Sequence, residues 1–166
     1  MSAIHANQLI VQFEHAWEKL AWNVPFKTAI EGLNEQEAEW KPVESVNSIR
    51  QIVKHCLFYN ERMLYRLRGL PIPERLKRET NTATFHADTD ESGQAGWEAE
   101  CARAIGIFEQ IRAALAEATA EKLDESLGET TLGNELSLWV MHDAFHSGQI
   151  VLLRKQMGKW KSPYEA

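Results

Sequence analysis

The feature that most constrains the fold is a strict spacing of apolar residues between about Gln94 and Ala120. They follow one another at alternating steps of four and three, and they are Trp97, Cys101, Ala104, Phe108, Ile111, Leu115 and Ala118. This spacing is typical of the seam of a left-handed bundle helix, because residues three and four apart share one face. The positions between them are mostly Glu, Arg, Gln and Ala, which predicts a solvated opposite face. The segment is therefore predicted to be one long helix that needs partner helices.

Three further segments have helical periodicity, and no segment alternates as a strand does. Pro25 lies inside the first and predicts a kink or the start of a second helix, because proline cannot donate to the carbonyl four residues earlier. Ser48 and Gln51 form the outline of a capping box at the start of the second. Four helices without strands predict an all-α fold, a four-helix bundle in a single domain over residues 1–166. The four predicted helices run from about Ala6 to Leu33, from Ser48 to the stop at Gly69, from about Gln94 to Ala120 and from about Leu132 to Met157.

The connections indicate how the helices are arranged. Asn34 and Glu37 form another capping box, which predicts a short helical turn that ends near Trp40. The chain from there to residue 47 is long enough to cross a bundle. Residues 70–93 form a second long and mostly polar connection, of the kind that often carries function. Two long connections favour a bundle with crossovers over a simple up-and-down order.

The composition excludes several classes of function. The formal charge is -6 with acidic and basic residues interleaved and no basic stripe, so we expect no binding to nucleic acid. No apolar run approaches the ~18 residues of a membrane span, and the first residues lack the pattern of a signal peptide. Cys56 and Cys101 are the only cysteines, and both fall inside predicted helices, so no disulfide framework is expected. These features predict a reduced, cytoplasmic protein.

Two histidines in the fourth helix are the first candidates for a functional site. His142 and His146 are four residues apart, so they lie on one face, one turn from each other. The apolar seam of this helix includes both of them, which predicts that they point toward the core. A buried imidazole needs partners for its ring nitrogens, and burial without them costs about 1–3 kcal/mol. Either ordinary hydrogen bonds in the core or a shared metal ion would satisfy the pair.

A third ligand would favour the metal, since catalytic zinc-type sites commonly have three protein ligands and an open position. His55 is the best candidate, because it lies in the middle of the second helix and can face the pair across the bundle. It is offset from the apolar stripe of its helix, although Phe58 and Tyr59 are offset as well, so a second side of this helix can be buried. The remaining histidines are expected at the surface, and they are His5, His15 and His86.

Other chemistries fit the sequence less well. Asp143 follows His142 where a zincin has glutamate, so it is either a base, an acceptor for a ligand imidazole, or a solvated or ion-paired acid. Cys56 is expected to be a small core residue. A di-iron site needs Glu three residues before the ligand histidine, but Ile52 and Trp139 occupy those positions. The sequence has no glycine-rich phosphate loop and no nucleophile elbow.

Three stretches together resemble the DinB/YfiT-like superfamily. Residues 32–42 are similar to its turn after the first helix, and residues 48–55 are similar to its Ser-Ile-x-x-Ile-Leu-x-His start of the second. Residues 142–150 are similar to its His-x3-His-x-Gly-Gln ending. The stretches occur in the family's order over most of the chain. Ser147 departs from the common pattern, because a basic residue often precedes the Gly-Gln pair.

The resemblance implies a DinB-like four-helix bundle with long crossovers and one divalent metal ion held by His55, His142 and His146. It also implies homodimers formed through helix faces. Characterised relatives include S-transferases that use bacillithiol and a mycothiol-dependent isomerase. The departure at Ser147 weakens any role of that position in binding an anionic thiol cofactor.

The leading hypothesis is therefore a metal-dependent enzyme that acts on a small electrophile, as a thiol-dependent S-transferase or by related hydrolase or isomerase chemistry. Zinc and nickel are the first candidates for the metal and iron is the next, and a low-molecular-weight thiol is a candidate cofactor. Gln149 is expected to orient a ligand imidazole, and Tyr59 to line the pocket; packing alone would also explain both. No residue is assigned a catalytic role. The alternatives are a non-catalytic metal-binding stress-response or sensor module and a dimerising bundle without metal.

Overall fold

The computed structural model describes residues 3–44, 46–86 and 93–164, with side chains from residue 6 onward. These residues form seven α-helices and two short 3₁₀ helices, and no strand occurs among them. The all-α prediction is therefore confirmed. The α-helices are α1 (Ala3–Trp17), α2 (Phe26–Ile30), α3 (Glu35–Glu39), α4 (Ile49–Leu67), α5 (Gly93–Glu117), α6 (Ala120–Leu123) and α7 (Leu132–Gln156), and the 3₁₀ helices are Glu74–Leu76 and Thr82–His86.

Four long helices, α1, α4, α5 and α7, form the bundle. Helices α5 and α7 each pack against α1 and α4, so α1 and α4 lie on a diagonal. Contacts at matching heights show that α1 runs parallel to α7 and that α4 runs parallel to α5 but against α7. Parallel neighbours cannot be joined by a tight turn, so the chain must cross the bundle between α4 and α5. The predicted crossover topology is what the structure has.

The core is built on aromatic side chains from three of the bundle helices. The ring of Phe108 lies 4.9 Å from that of Phe13 and 5.3 Å from that of Trp17, measured between centroids. Phe13 also contacts Trp139, at 5.3 Å. Such pairs add about 0.5–1.5 kcal/mol each beyond the apolar area that they bury. They hold α1, α5 and α7 at fixed heights, which in turn fixes the height of the residues that follow Trp139.

Local signals explain most helix boundaries. Both predicted capping boxes form: Asn34 starts α3 and Ser48 starts α4, each with the reciprocal side-chain bond of the residue three positions on. The first predicted helix is wrong in its extent, because α1 ends at Trp17. A second helix, α2, starts at Phe26 directly after Pro25, which is one of the two outcomes that the proline predicts. The side-chain amide of Asn23 donates to the carbonyl of His15, at 3.2 Å, and so satisfies a terminal carbonyl of α1.

The third predicted helix also ends earlier than expected. Helix α5 stops at Glu117 because Thr119 caps a new short helix, its hydroxyl accepting from the backbone N–H of Lys122. Across the described ranges, none of the helices is both long enough and apolar enough to cross a lipid bilayer.

Candidate metal centre

Helices α4 and α7 bring three histidines together. The Nε2 atom of His142 lies 2.9 Å from Nε2 of His55 and 3.1 Å from Nε2 of His146. One nitrogen from each of the three rings lies within 4.8 Å of the others, although His55 is 87 residues away in the chain. The antiparallel packing of α4 on α7 thus brings His55 next to His142 and His146, and the three side chains form one cluster.

The other nitrogen of each ring faces an oxygen. Nδ1 of His55 lies 2.5 Å from the hydroxyl of Thr84, and Nδ1 of His146 lies 2.7 Å from the amide oxygen of Gln149. Nδ1 of His142 lies 3.1 Å from a carboxylate oxygen of Asp143. An acceptor at Nδ1 favours the neutral tautomer that carries its proton there. The three Nε2 lone pairs then point toward one another.

Burial keeps two of these rings neutral. Burial, followed by the neighbouring imidazoles of His146 and His142, lowers the pKa of His55 to about 3. The pKa of His146 is also lowered, first by burial and then by His142. The hydrogen bond with Gln149 raises this pKa but does not offset the lowering. Both rings therefore stay uncharged near neutral pH and keep a lone pair for a ligand bond.

The spacing of the three nitrogens fits a transition metal. Zinc–nitrogen bonds of about 2.0–2.1 Å at tetrahedral angles place ligand nitrogens about 3.3 Å apart. The two close Nε2 separations, 2.9 and 3.1 Å, are near this value. Three converging lone pairs at this distance repel one another unless a cation or a proton lies between them, so the donor set suits an ion. The same set leaves room for a further ligand, because the His142 side chain is 29% exposed.

A second group of potential ligands, Cys56 with His142 and Asp143, also lies within 4.8 Å. It is less suited to an ion. The carboxylate of Asp143 already accepts from the indole N–H of Trp17, at 2.9 Å, and from His142. Burial raises the pKa of the Cys56 thiol well above its ordinary value, so it is not a thiolate at neutral pH. Cys56 is a core residue, as the sequence predicts.

The core face of α7 is centred differently from the prediction. Asp143 and Ser147 are fully buried, whereas His142 is only half-buried. His146 is buried as predicted, whereas His142 lies at the edge of the core face, where α7 meets α4. Asp143 is not a solvated acid: it points inward and connects His142 to Trp17. Ser147 also faces inward, and its hydroxyl donates to the carbonyl of Val24, at 2.6 Å.

The other predicted residues fall into two groups. Gln149 and Tyr59 lie at the cluster, Gln149 on His146 and the ring of Tyr59 at 5.0 and 5.4 Å from those of His55 and His142. His15 lies away from it, with Nδ1 3.0 Å from the carbonyl of Lys19. His86 is exposed in the second 3₁₀ helix, and the side chain of His5 lies outside the described residues.

Sequence reasoning missed the contribution of the long connection. Thr84 contacts Nδ1 of His55, and the ring of Phe85 is stacked on that imidazole at 3.9 Å with an angle of 6° between the planes. The only signal was a threonine-rich stretch in a loop of unusual length. The way in which this stretch packs against α4 depends on how the whole connection folds, and no local sequence pattern specifies that.

Comparison with known proteins identifies a family that matches most of the chain and two solved structures with a similar fold. The sequence model that defines the DinB superfamily matches residues 12–150. The crystal structure of YjoA from Bacillus subtilis, a DinB-like protein, is 20% identical and covers 95% of this chain and 96% of its own, with a TM-score of 0.66. YfiT from Bacillus subtilis, described as a probable metal-dependent hydrolase with an unusual four-helix bundle topology, is 20% identical and covers 97% of this chain and 91% of its own, with a TM-score of 0.71. No curated protein matches the chain.

Proposed function

Given that the chain belongs to the DinB superfamily, we propose that it is an enzyme that uses one divalent metal ion, held by His55, His142 and His146, to act on a small molecule. The observation that carries the proposal is the convergence of three Nε2 atoms whose partner Nδ1 atoms all face an acceptor. Hydrogen bonds in an ordinary core would not need all three lone pairs to meet. The description of YfiT as a probable metal-dependent hydrolase supports the same conclusion.

The residues around the cluster have separate tasks in this proposal. Thr84, Asp143 and Gln149 each hold one imidazole in the tautomer that frees Nε2. The rings of Tyr59 and Phe85 pack against His55 and limit the access of water from that side. When bound, a divalent metal at an open three-histidine site acts as a Lewis acid and lowers the pKa of a coordinated water or thiol. Zinc or nickel suits this donor set, followed by iron.

The reaction that we propose is substitution on a small electrophile by a low-molecular-weight thiol, as in an S-transferase: the sulfur forms a bond to carbon, the leaving group departs with its electron pair, and the thiol proton passes to solvent. Hydrolysis or isomerisation is related chemistry at the same site, and the hydrolase description of YfiT favours keeping it in the test. The proposal includes the reduced cytoplasm as the location, since Cys56 and Cys101 are both free.

Metal analysis of the untagged protein tests the first step. We expect about one equivalent of zinc or nickel in the wild type and a loss of most of it in His142→Ala and His146→Ala. His15→Ala is the matched control, because it removes an imidazole that lies away from the cluster. Equal metal content in all four proteins would mean that the metal binds away from the cluster, and a wild type without metal would favour the bundle-without-metal alternative.

The second step is tested by activity. The metal-loaded protein would be incubated with a low-molecular-weight thiol and a panel of electrophiles, and with ester and amide substrates. We expect a rate above that of His146→Ala with at least one pair. A stoichiometric metal without any such rate would favour the non-catalytic sensor or stress-response alternative.

We also propose that the protein forms a homodimer through the outer face of α7. Leu138, Met141, Phe145 and Leu152 are all more than half exposed on that face, and Gly148 between them has open space where a side chain would be. Leu138 and Leu152 each lie seven residues from Phe145, so two antiparallel copies of α7 can pair their apolar residues about that ring. Met141→Glu should convert the dimer to a monomer in light scattering, and Val43→Glu, at another exposed apolar position, should not.

A further inference from the structure

The second 3₁₀ helix, Thr82–His86, is held against the face of α4 that carries the cluster. Gln51, His55 and Tyr59 occupy successive turns of that face. The side chain of Gln51 contacts Nδ1 of His86 at 3.2 Å. The 82–86 turn, as we call this 3₁₀ helix, therefore follows α4 over two helical turns, although it lies in the middle of a long connection.

A chain of hydrogen bonds joins this turn to a ligand imidazole. The hydroxyl of Tyr59 donates to the side-chain oxygen of Asn81 at 2.9 Å, and the hydroxyl of Thr84 donates to the carbonyl of Asn81 at 2.5 Å. Because the Thr84 hydrogen is committed to Asn81, its oxygen can only accept from Nδ1–H of His55. Thr84 is only 1% exposed, so water cannot replace it there.

We propose that Thr84 is a positioning residue for the metal centre, and that metal binding and the order of the 82–86 turn stabilise each other. This inference rests on the proposed metal site. Thr84 selects the tautomer of His55 whose lone pair is on Nε2, and Phe85 fixes the plane of the same ring. Metal ligands held in this way by an outer partner lose 10–100-fold in metal affinity when that partner is removed.

The coupling works in both directions. Without a cation, the converging Nε2 lone pairs repel unless a proton lies between them, and this repulsion weakens the hold on His55 in the position where Thr84 and Phe85 contact it. The turn then has weaker contacts with α4 through Thr84 and Phe85. By linkage, an ion that favours the anchored position must bind more weakly when the anchor is removed.

Zinc affinity tests the positioning role. We would measure the dissociation constant for Zn²⁺ by competition with a chromophoric chelator. Thr84→Val keeps the shape without the acceptor and should bind zinc at least roughly ten-fold more weakly. Thr84→Ser restores the hydroxyl and should bind within about two-fold of the wild type, as should Thr82→Val, which alters an exposed threonine of the same turn. If the dissociation constants of Thr84→Val and Thr82→Val for Zn²⁺ are equal, Thr84 is not a positioning residue.

Proteolysis tests the coupling without reference to catalysis. Trypsin can cut at Arg75, Lys77 and Arg78, which are exposed just before the turn. Saturating Zn²⁺ should slow these cuts in the wild type by roughly ten-fold or more, and much less in Thr84→Val at the same zinc concentration. Equal cutting of the wild type with and without zinc would contradict the coupling. If the wild type binds no zinc at all, the proposed function fails; if it binds zinc and only these differences are missing, this inference alone fails.

Discussion

At the scale of single residues, Asp143 connects the cluster to the core. Its carboxylate is fully buried and accepts from both Trp17 and His142. We expect Asp143→Asn to weaken zinc binding by roughly ten-fold or more, because an amide can present an N–H to Nδ1 and is a poorer acceptor. Competition with a chelator measures this. Trp17→Phe is the control: it removes the other hydrogen bond and should lower stability with little change in zinc affinity, so equal effects on affinity would contradict the separate roles.

The two thiols should be inert in the folded protein. Burial raises the pKa of Cys101 to about 12, and burial raises that of Cys56 well above its usual range. At pH 8 a thiol of pKa 12 is about 0.01% ionised, against roughly a quarter for a free cysteine of pKa 8.5. Alkylation by iodoacetamide at pH 8 should therefore be slow until guanidinium unfolds the chain. Fast labelling of the native protein would contradict this.

The same raised pKa values determine whether the stability of the fold rises or falls with pH. Above about pH 9 the unfolded chain loses its thiol protons while the folded chain keeps them, so the unfolded state binds fewer protons. Stability from this source is complete below the unfolded pKa and falls as the pH rises toward about 12, the folded value for Cys101.

The residues of the cluster were predictable to different degrees. His142 and His146 follow from spacing, since a separation of four places two side chains on one helical face. His55 needed the resemblance to a family, because its offset from the apolar stripe argues against it. Thr84 could not be predicted, since its contact with His55 depends on where a crossover of more than twenty residues settles. Local patterns describe helices well and say little about such placements.

At the scale of the helices, a buried ion pair joins α4 to α5. Arg50 donates from Nε and from a terminal nitrogen to the two oxygens of Glu100, both at 2.9 Å, and both residues are buried. The Glu100 hydrogen bond is the main reason that the pKa of Arg50 is raised. Two parallel bonds of this kind set the height of α5 on α4.

Removing one partner should be costly. Glu100→Gln leaves the buried Arg50 guanidinium with Glu39 and Glu35 as its remaining carboxylate partners. We therefore expect a loss of about 1.5–3 kcal/mol in the free energy of unfolding, below the roughly 3–5 kcal/mol of a buried charge without a partner. Urea denaturation monitored by circular dichroism measures it. Glu109→Gln, an exposed position on the same helix, should change stability by less than about 0.5 kcal/mol. If Glu100→Gln lowers the free energy of unfolding no more than Glu109→Gln does, the ion pair does not stabilise the contact between the two helices.

Helix ends show what local sequence can and cannot determine. The starts at Asn34 and Ser48 were predicted because each capping box is complete within four residues. The end of α1 at Trp17 was not, because Asn23 satisfies the carbonyl of His15 only after the chain has turned back. The core face of α7 was misplaced for a related reason, since Asp143 and Ser147 are polar but have partners on other segments.

At the scale of the whole molecule, the order of the helices places the cluster where three segments meet. Helices α4 and α5 are parallel, so the chain must return along the bundle between them. The 82–86 turn of this return lies on α4, with the ring of Phe85 6.2 Å from that of His146 on α7. The cluster takes one ligand from α4 and two from α7, and it is supported by the turn. An ion bound there would connect segments that are far apart in the chain.

Metal binding should therefore stabilise the whole fold, because the unfolded chain has no such cluster. At a zinc concentration one hundred times the dissociation constant, binding contributes about 2.7 kcal/mol, which corresponds to a rise of about 5–10 °C in Tm for a chain of this size. Differential scanning fluorimetry of the metal-free protein, with and without zinc, measures the shift. His55→Ala, His142→Ala and His146→Ala should each lose most of it, and His15→Ala should keep it. A full shift in His142→Ala would mean that zinc binds at another place and that the three histidines are held together by packing alone.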